Sequence, residues 1–210
     1  MRLRLLQWLR ASSIVLLLIA LLPATVVAAP ADDTRDATAF ISGMADRAIA
    51  ALTPPGISRE ERESRARALL HDYFAVPTIG QFVLGRYWKT ATADERTEYL
   101  HLFEELIVVS YVDRFSRYSG ERLTVTRAVA DPESGDVVVN SDITRPAGAP
   151  VEVGWRVRRA GPAFKIVDVF VEGVSMGQTQ RSDFGSVLRN NAGSMPALLD
   201  EMRRRARQGT

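Results

Sequence analysis

The 210-residue chain contains no cysteine and only two histidines, and aromatic residues make up 8% of it. Without cysteine it can form no disulfide, thiolate metal site, thiol nucleophile or lipoprotein anchor. Two histidines leave little for metal or triad chemistry; His101 and Glu105 stand at i,i+4 with no third ligand in view. An excess of one charge is also lacking. Arg2, Arg4 and Arg10 lie in a leading segment, and removing it leaves 24 basic residues against 25 acidic ones. That balance, with no RRM, KH or zinc-finger signature, gives no field or motif for nucleic acid.

What is there begins with that leading segment. Arg2 to Arg10 is a basic n-region and Ala11 to Leu22 an uncharged apolar run. Pro23 and the small residues through Ala29 then follow. A spanning helix needs roughly 20 apolar residues, and this run is shorter, so residues 1–28 read as a cleavable secretory signal peptide. Residues 29–210 are expected to form a single domain exported to the periplasm.

Phe40, Ile41, Met44, Ala48, Ile49 and Leu52 recur at helical spacing until Thr53-Pro54-Pro55-Gly56 stops the pattern. Ser58 with Glu61 and Thr92 with Glu95 have capping-box spacing and should open two more helices, the second reaching about Tyr118. Between them Val76 to Trp88 is apolar but broken by Pro77, Gly80 and Gly85, as in a short helix or a pair of turns. After Gly120 the period changes to two over Leu123–Val129, Val137–Thr144, Val151–Arg158 and Phe164–Val171. The connections are too short for parallel crossovers, so the strands form an antiparallel meander. Placing Val139 opposite Trp155 and Val157 opposite Lys165 gathers thirteen apolar residues on one face, from Leu123, Val125 and Val129 to Val167, Val169 and Val171. Met176–Asn190 and Pro196–Arg207 close the chain as helices. The fold class is therefore α+β, with N- and C-terminal helices on one face of a curved four-stranded antiparallel sheet.

Gly173-Val174-Ser175-Met176-Gly177 fits G-x-S-x-G between a strand and a helix. A serine hydrolase using Ser175 is the alternative this suggests. In the hydrolase order, however, the histidine follows the serine, and here both precede it, so Ser175 is expected to be a helix N-cap. Asp168 interrupts the last long strand on a face assigned to Phe164, Ile166 and Phe170, and should be paired, an arginine being the natural partner. The Arg203-Arg204-Arg205-Ala206-Arg207 tail either meets anionic groups or complements its helix dipole. The remaining apolar surface is either ordinary core or the wall of a cavity; periodicity does not separate the two.

Two blocks carry a resemblance. Ile79-Gly80-Gln81-Phe82-Val83-Leu84-Gly85-Arg86-Tyr87-Trp88, with Ala91-Thr92 and Glu95-Arg96, resembles the central signature of the MlaC family, also called toluene-tolerance proteins. Lys165 to Val169, Glu172 to Met176 and Gln180 to Phe184 are similar to a second. The resemblance implies a periplasmic, non-enzymatic carrier without cofactor or metal. Its helices and sheet would enclose an apolar pocket for phospholipid acyl chains, the cargo passing between an outer-membrane lipoprotein complex and an inner-membrane ABC transporter with an MCE-domain subunit. Some relatives accompany hopanoid biosynthesis, so a hopanoid-like lipid is a second cargo. By predicted face, the lipid-binding residues are Phe82, Leu84, Phe103, Leu106, Val109, Tyr111, Val139, Val153, Trp155, Val169 and Val171.

Overall fold

The computed structural model describes residues 30–208, and the segment read as a signal peptide lies outside them. Among the described residues no helix is long and apolar enough to cross a membrane. The order is α1 (Pro30–Leu52), α2 (Arg59–Tyr73), α3 (Val76–Leu84), α4 (Tyr87–Thr90), α5 (Ala93–Phe115), β1 (Arg122–Ala130), β2 (Val137–Thr144), β3 (Val151–Ala160), β4 (Ala163–Val171), β5 (Val174–Ser175), α6 (Met176–Asn190) and α7 (Met195–Gln208).

The helix starts follow their capping chemistry. Ser58 Oγ accepts the Glu61 amide at 3.1 Å, while the Glu61 carboxylate turns to Arg65 instead of closing the box. Thr92 and Glu95 make the full reciprocal pair. Gly80 lets α3 lie hard against α5: a Cβ there would sit 2.7 Å from Leu100, and Tyr99 donates its buried hydroxyl to the Gly80 carbonyl at 2.9 Å.

The sheet is a five-stranded antiparallel meander in the order β1-β2-β3-β4-β5. The fifth strand is a two-residue addition to the four expected. Glu172 and Gly173, with φ of 49° and 77°, form the two-residue turn before it, joining Val171 to Val174. Val139 does face Trp155, but Val157 faces Ile166 and not Lys165, because a bulge leaves Val167 unpaired. A second bulge follows Val125. Each extra residue inverts the alternation beyond it. Ala128 and Ala130 therefore replace Val129 on the inner face, and Phe164 and Ile166 replace Val167. Val129 is exposed. Phe164 and Ile166 thereby leave the face of Asp168, which stays on the outer side opposite Arg156.

Two apolar clusters result. Ala37, Ile41 and Met44 of α1, spaced for one helix face, pack on the inner sheet face with Val137, Val139, Val153, Trp155, Val157, Phe164 and Ile166. The other unites α2, α3, α5, α6 and α7 around Tyr99, Phe103, Val112, Phe184 and Leu198. Leu69 and Phe74 touch both clusters. Strand β4 joins the two bodies: Ala75 donates its amide to Ile166 O at 2.9 Å. Lys165 Nζ caps the end of α2, donating to His71 O at 2.7 Å and Asp72 O at 2.6 Å.

Candidate functional site: an apolar cleft between two cores

At the seam of the two clusters lies a cleft of about 100 Å³. Helix α1 contributes Met44, Ala48 and Leu52, one stripe at i, i+4, i+8; α2 contributes Ala66, Leu69, Leu70 and Tyr73, followed by Phe74. Ile107, Val108, Tyr111 and Phe115 come from α5, and Trp155 from β3. Apart from two phenols and an indole the lining is hydrocarbon and thioether, with no carboxylate, cation or amide side chain. The indole is tied down. Trp155 Nε1 donates to Ser141 Oγ at 2.9 Å, and Ser141, itself buried, donates to Val153 O at 3.0 Å. The ring thus presents its carbon edge to the cleft while its polar atom is satisfied.

Of the residues assigned by face, Tyr111 and Trp155 line this cleft. Val139 and Val153 lie buried beside Trp155, with Val169 packed against the same cluster, and half-buried Val171 pairs with Val153. Leu84 and Phe103 are buried in the helical cluster and Leu106 packs against it; Val109 is buried on α5. Phe82 is on the surface. Eleven of the thirteen lining residues were not among those assigned. The α1 stripe of Met44, Ala48 and Leu52 was visible as a helical face, but nothing in its period distinguishes a cleft wall from a core.

The polar candidates resolve differently. Ser175 is the N-cap of α6: its Oγ accepts the Gln178 amide at 2.9 Å and donates to Asp168 Oδ2 at 2.6 Å. The partner of Asp168 is therefore this hydroxyl, with the Gly177 amide at 3.0 Å and its neighbour Val169 at 2.8 Å, and not an arginine. The start of α6 supplies what a cation would have supplied. His71 contacts Glu104 at 3.1 Å, and Glu105, the expected neighbour of His101, bonds Arg67. Among the described residues no three His, Asp or Glu side chains are placed to hold a metal. In the C-terminal tail Arg203 engages Glu98 and Asp200, Arg204 engages Glu201, and Arg205 engages Asp183 and Glu201.

An α+β fold whose helices and curved sheet part around an uncharged cleft is the architecture the two sequence blocks implied. The sequence model of the MlaC protein family matches residues 43–204. The chain belongs to the MlaC family. Among MlaC relatives, the intermembrane phospholipid transport system binding protein MlaC of Haemophilus influenzae is 26% identical over 142 residues, 65% of this chain and 64% of that protein. The toluene tolerance protein ttg2D of Pseudomonas putida is 23% identical over 115 residues, 55% of this chain and 53% of that one. The matches thus span between half and two thirds of these relatives. The structure of a phospholipid-binding protein from Ralstonia solanacearum, solved in complex with a phospholipid, shares the MlaC fold with a TM-score of 0.72 at 21% identity. The alignment covers 83% of this chain and 98% of that one.

Proposed function

We propose that the chain is a periplasmic lipid carrier. Residues 1–28 direct export, and residues 29–210 hold the acyl chains of a phospholipid in the cleft between α1, α2, α5 and Trp155. The cargo passes between an outer-membrane lipoprotein complex and an inner-membrane ABC transporter with an MCE-domain subunit, which maintains outer-membrane lipid asymmetry. The observation that carries this reading is the cleft itself: thirteen lining residues without one charged or amide group. The family, and the phospholipid named for its relatives, supply the class of cargo.

The energetics suit a carrier. Each methylene kept from water is worth about 0.8 kcal/mol, so two chains of about fifteen carbons would cost on the order of 24 kcal/mol if drawn bare into water. A dry cleft removes that barrier without chemistry. At about 100 Å³ the cleft is well below the roughly 300–1,000 Å³ of ordinary ligand pockets. Loading therefore requires the α1–sheet body to part from α5, and β4 is the strand about which the two bodies remain attached.

The deciding experiment is to export the protein, purify it without detergent and identify bound lipid by mass spectrometry. A stoichiometric diacyl phospholipid is expected; a polycyclic triterpenoid would keep the carrier and change its cargo. Empty protein that also takes no lipid from vesicles would overturn the reading and return the cleft to imperfect core packing.

A further inference from the structure

Five large apolar side chains are conspicuously exposed among the described residues. Three of them, Phe82 (44%), Val174 (55%) and Met176 (38%), belong to the two sequence blocks that carry the family resemblance. The cleft uses none of them. Phe82 lies where α3 meets the start of α6: a Cβ on Gly177, the residue after Met176, would lie 3.4 Å from its ring, while Val174 pairs with Val171 on the other side of the sheet edge.

Cations continue this surface. Arg181 stacks 5.0 Å from the Phe82 ring centroid and donates to Phe82 O at 3.1 Å. A Cβ on Gly85 would meet its guanidinium at 3.0 Å. Arg86 follows, held by Tyr87 Oη at 2.9 Å, and shares an open depression with Arg189, which donates to Ser186 Oγ at 2.8 Å. Each guanidinium is thus positioned by a neutral group, and among the described residues none of the three forms an ion pair, whereas Arg203, Arg204 and Arg205 on α7 all do. The adjacent carboxylates are turned away: Asp168 into the α6 amides and Glu172 onto the Glu152 amide.

We propose that this strip docks an acidic segment of a partner protein, carboxylates meeting Arg181, Arg86 and Arg189 and an apolar anchor covering Phe82. The inference rests on the carrier reading, since a carrier must be received by other envelope components, and it names where. Exposed aromatic, Met and Arg side chains are the composition of interface cores. Guanidiniums ordered before contact lose little freedom on binding and suit the fixed geometry of carboxylates. A membrane surface attracts charge without needing that order. The strip shares no residue with the cleft lining, so docking here leaves the cleft free to exchange lipid.

The test places the photo-cross-linking residue p-benzoylphenylalanine at Phe82 in the full chain, in living cells, with exposed Val129 on the outer sheet face as control. Expected are protein adducts at Phe82 but not at Val129, with the cross-linked peptide acid-rich. Arg86→Glu with Arg189→Glu should lower the yield about ten-fold. Those two side chains are exposed and outside both cores, so lipid occupancy of the purified variant should be unchanged. Loss of occupancy in the unmodified protein would count against the carrier reading, not this one. Adducts to lipid alone, adducts to basic peptides, undiminished yield in the charge-reversed variant, or no adduct at Phe82 would each overturn the docking proposal.

Discussion

Trp155 donates its indole N–H to Ser141 Oγ at 2.9 Å across the β2–β3 pair, and Ser141 spends its own proton on Val153 O. One hydroxyl therefore satisfies a buried donor and fixes the ring at the base of the cleft.

Ser141→Ala leaves that N–H buried without an acceptor and should cost about 1–3 kcal/mol. Trp155→Phe removes the donor, so the double variant should be less destabilised than the sum of the singles, by at least about 0.5 kcal/mol. Urea denaturation of the four proteins checks this. Additive losses would mean that the hydrogen bond contributes nothing beyond the packing of each residue.

Ser175→Ala should cost about 1 kcal/mol, the ordinary worth of an N-cap, because Gln178 loses its acceptor and Asp168 one of its donors. Any ester hydrolysis in the wild-type preparation should persist in the variant. Hydrolysis that disappears with the hydroxyl would revive Ser175 as a nucleophile, against a geometry in which its proton already goes to Asp168.

Much of the fold was legible because its signals are local. Ser58, Thr92 and Ser175 announce helix starts, and the change of period after Gly120 announces the sheet. The two bulges were not, since an extra residue such as Val167 leaves alternation looking intact on either side while inverting what lies beyond. Asp168 was assigned an arginine because a sequence lists side-chain cations and not amides freed at a helix start. The cleft was the least legible feature. Met44, Ala48 and Leu52 have the spacing of any buried stripe, and only the meeting of α1, α2, α5 and β3 leaves space between them.

Asp131 gives the stability of the β1–β2 turn a pH dependence of known sign. Ser134 Oγ at 2.8 Å, Arg156 at 2.9 Å and the Glu133 amide at 3.1 Å all favour the carboxylate and pull its pKa down to about 2. An unfolded Asp titrates near 3.9. The stabilisation is thus fully present above about pH 4 and is lost as pH falls toward 2. Asp131→Asn should flatten the fall in Tm between pH 4 and pH 2 relative to wild type. Parallel Tm curves would show that the turn is indifferent to this charge.

Ala48 sits at the cleft on α1, while Ala50 on the same helix faces solvent. Ala48→Phe puts a ring into the space an acyl chain would use, and Ala50→Phe adds the same ring outside it. Filling a void of about 100 Å³ can restore up to about 2 kcal/mol at 24 cal/mol per Å³, so the Ala48 variant should fold at least as well as wild type. Its lipid occupancy by native mass spectrometry should nevertheless fall about ten-fold, a deficit of roughly 1.4 kcal/mol, with the Ala50 variant unaffected. Equal occupancy in the two variants would place the cargo somewhere other than between α1 and α5. A stable but empty Ala48→Phe protein would separate folding from carriage at a single side chain.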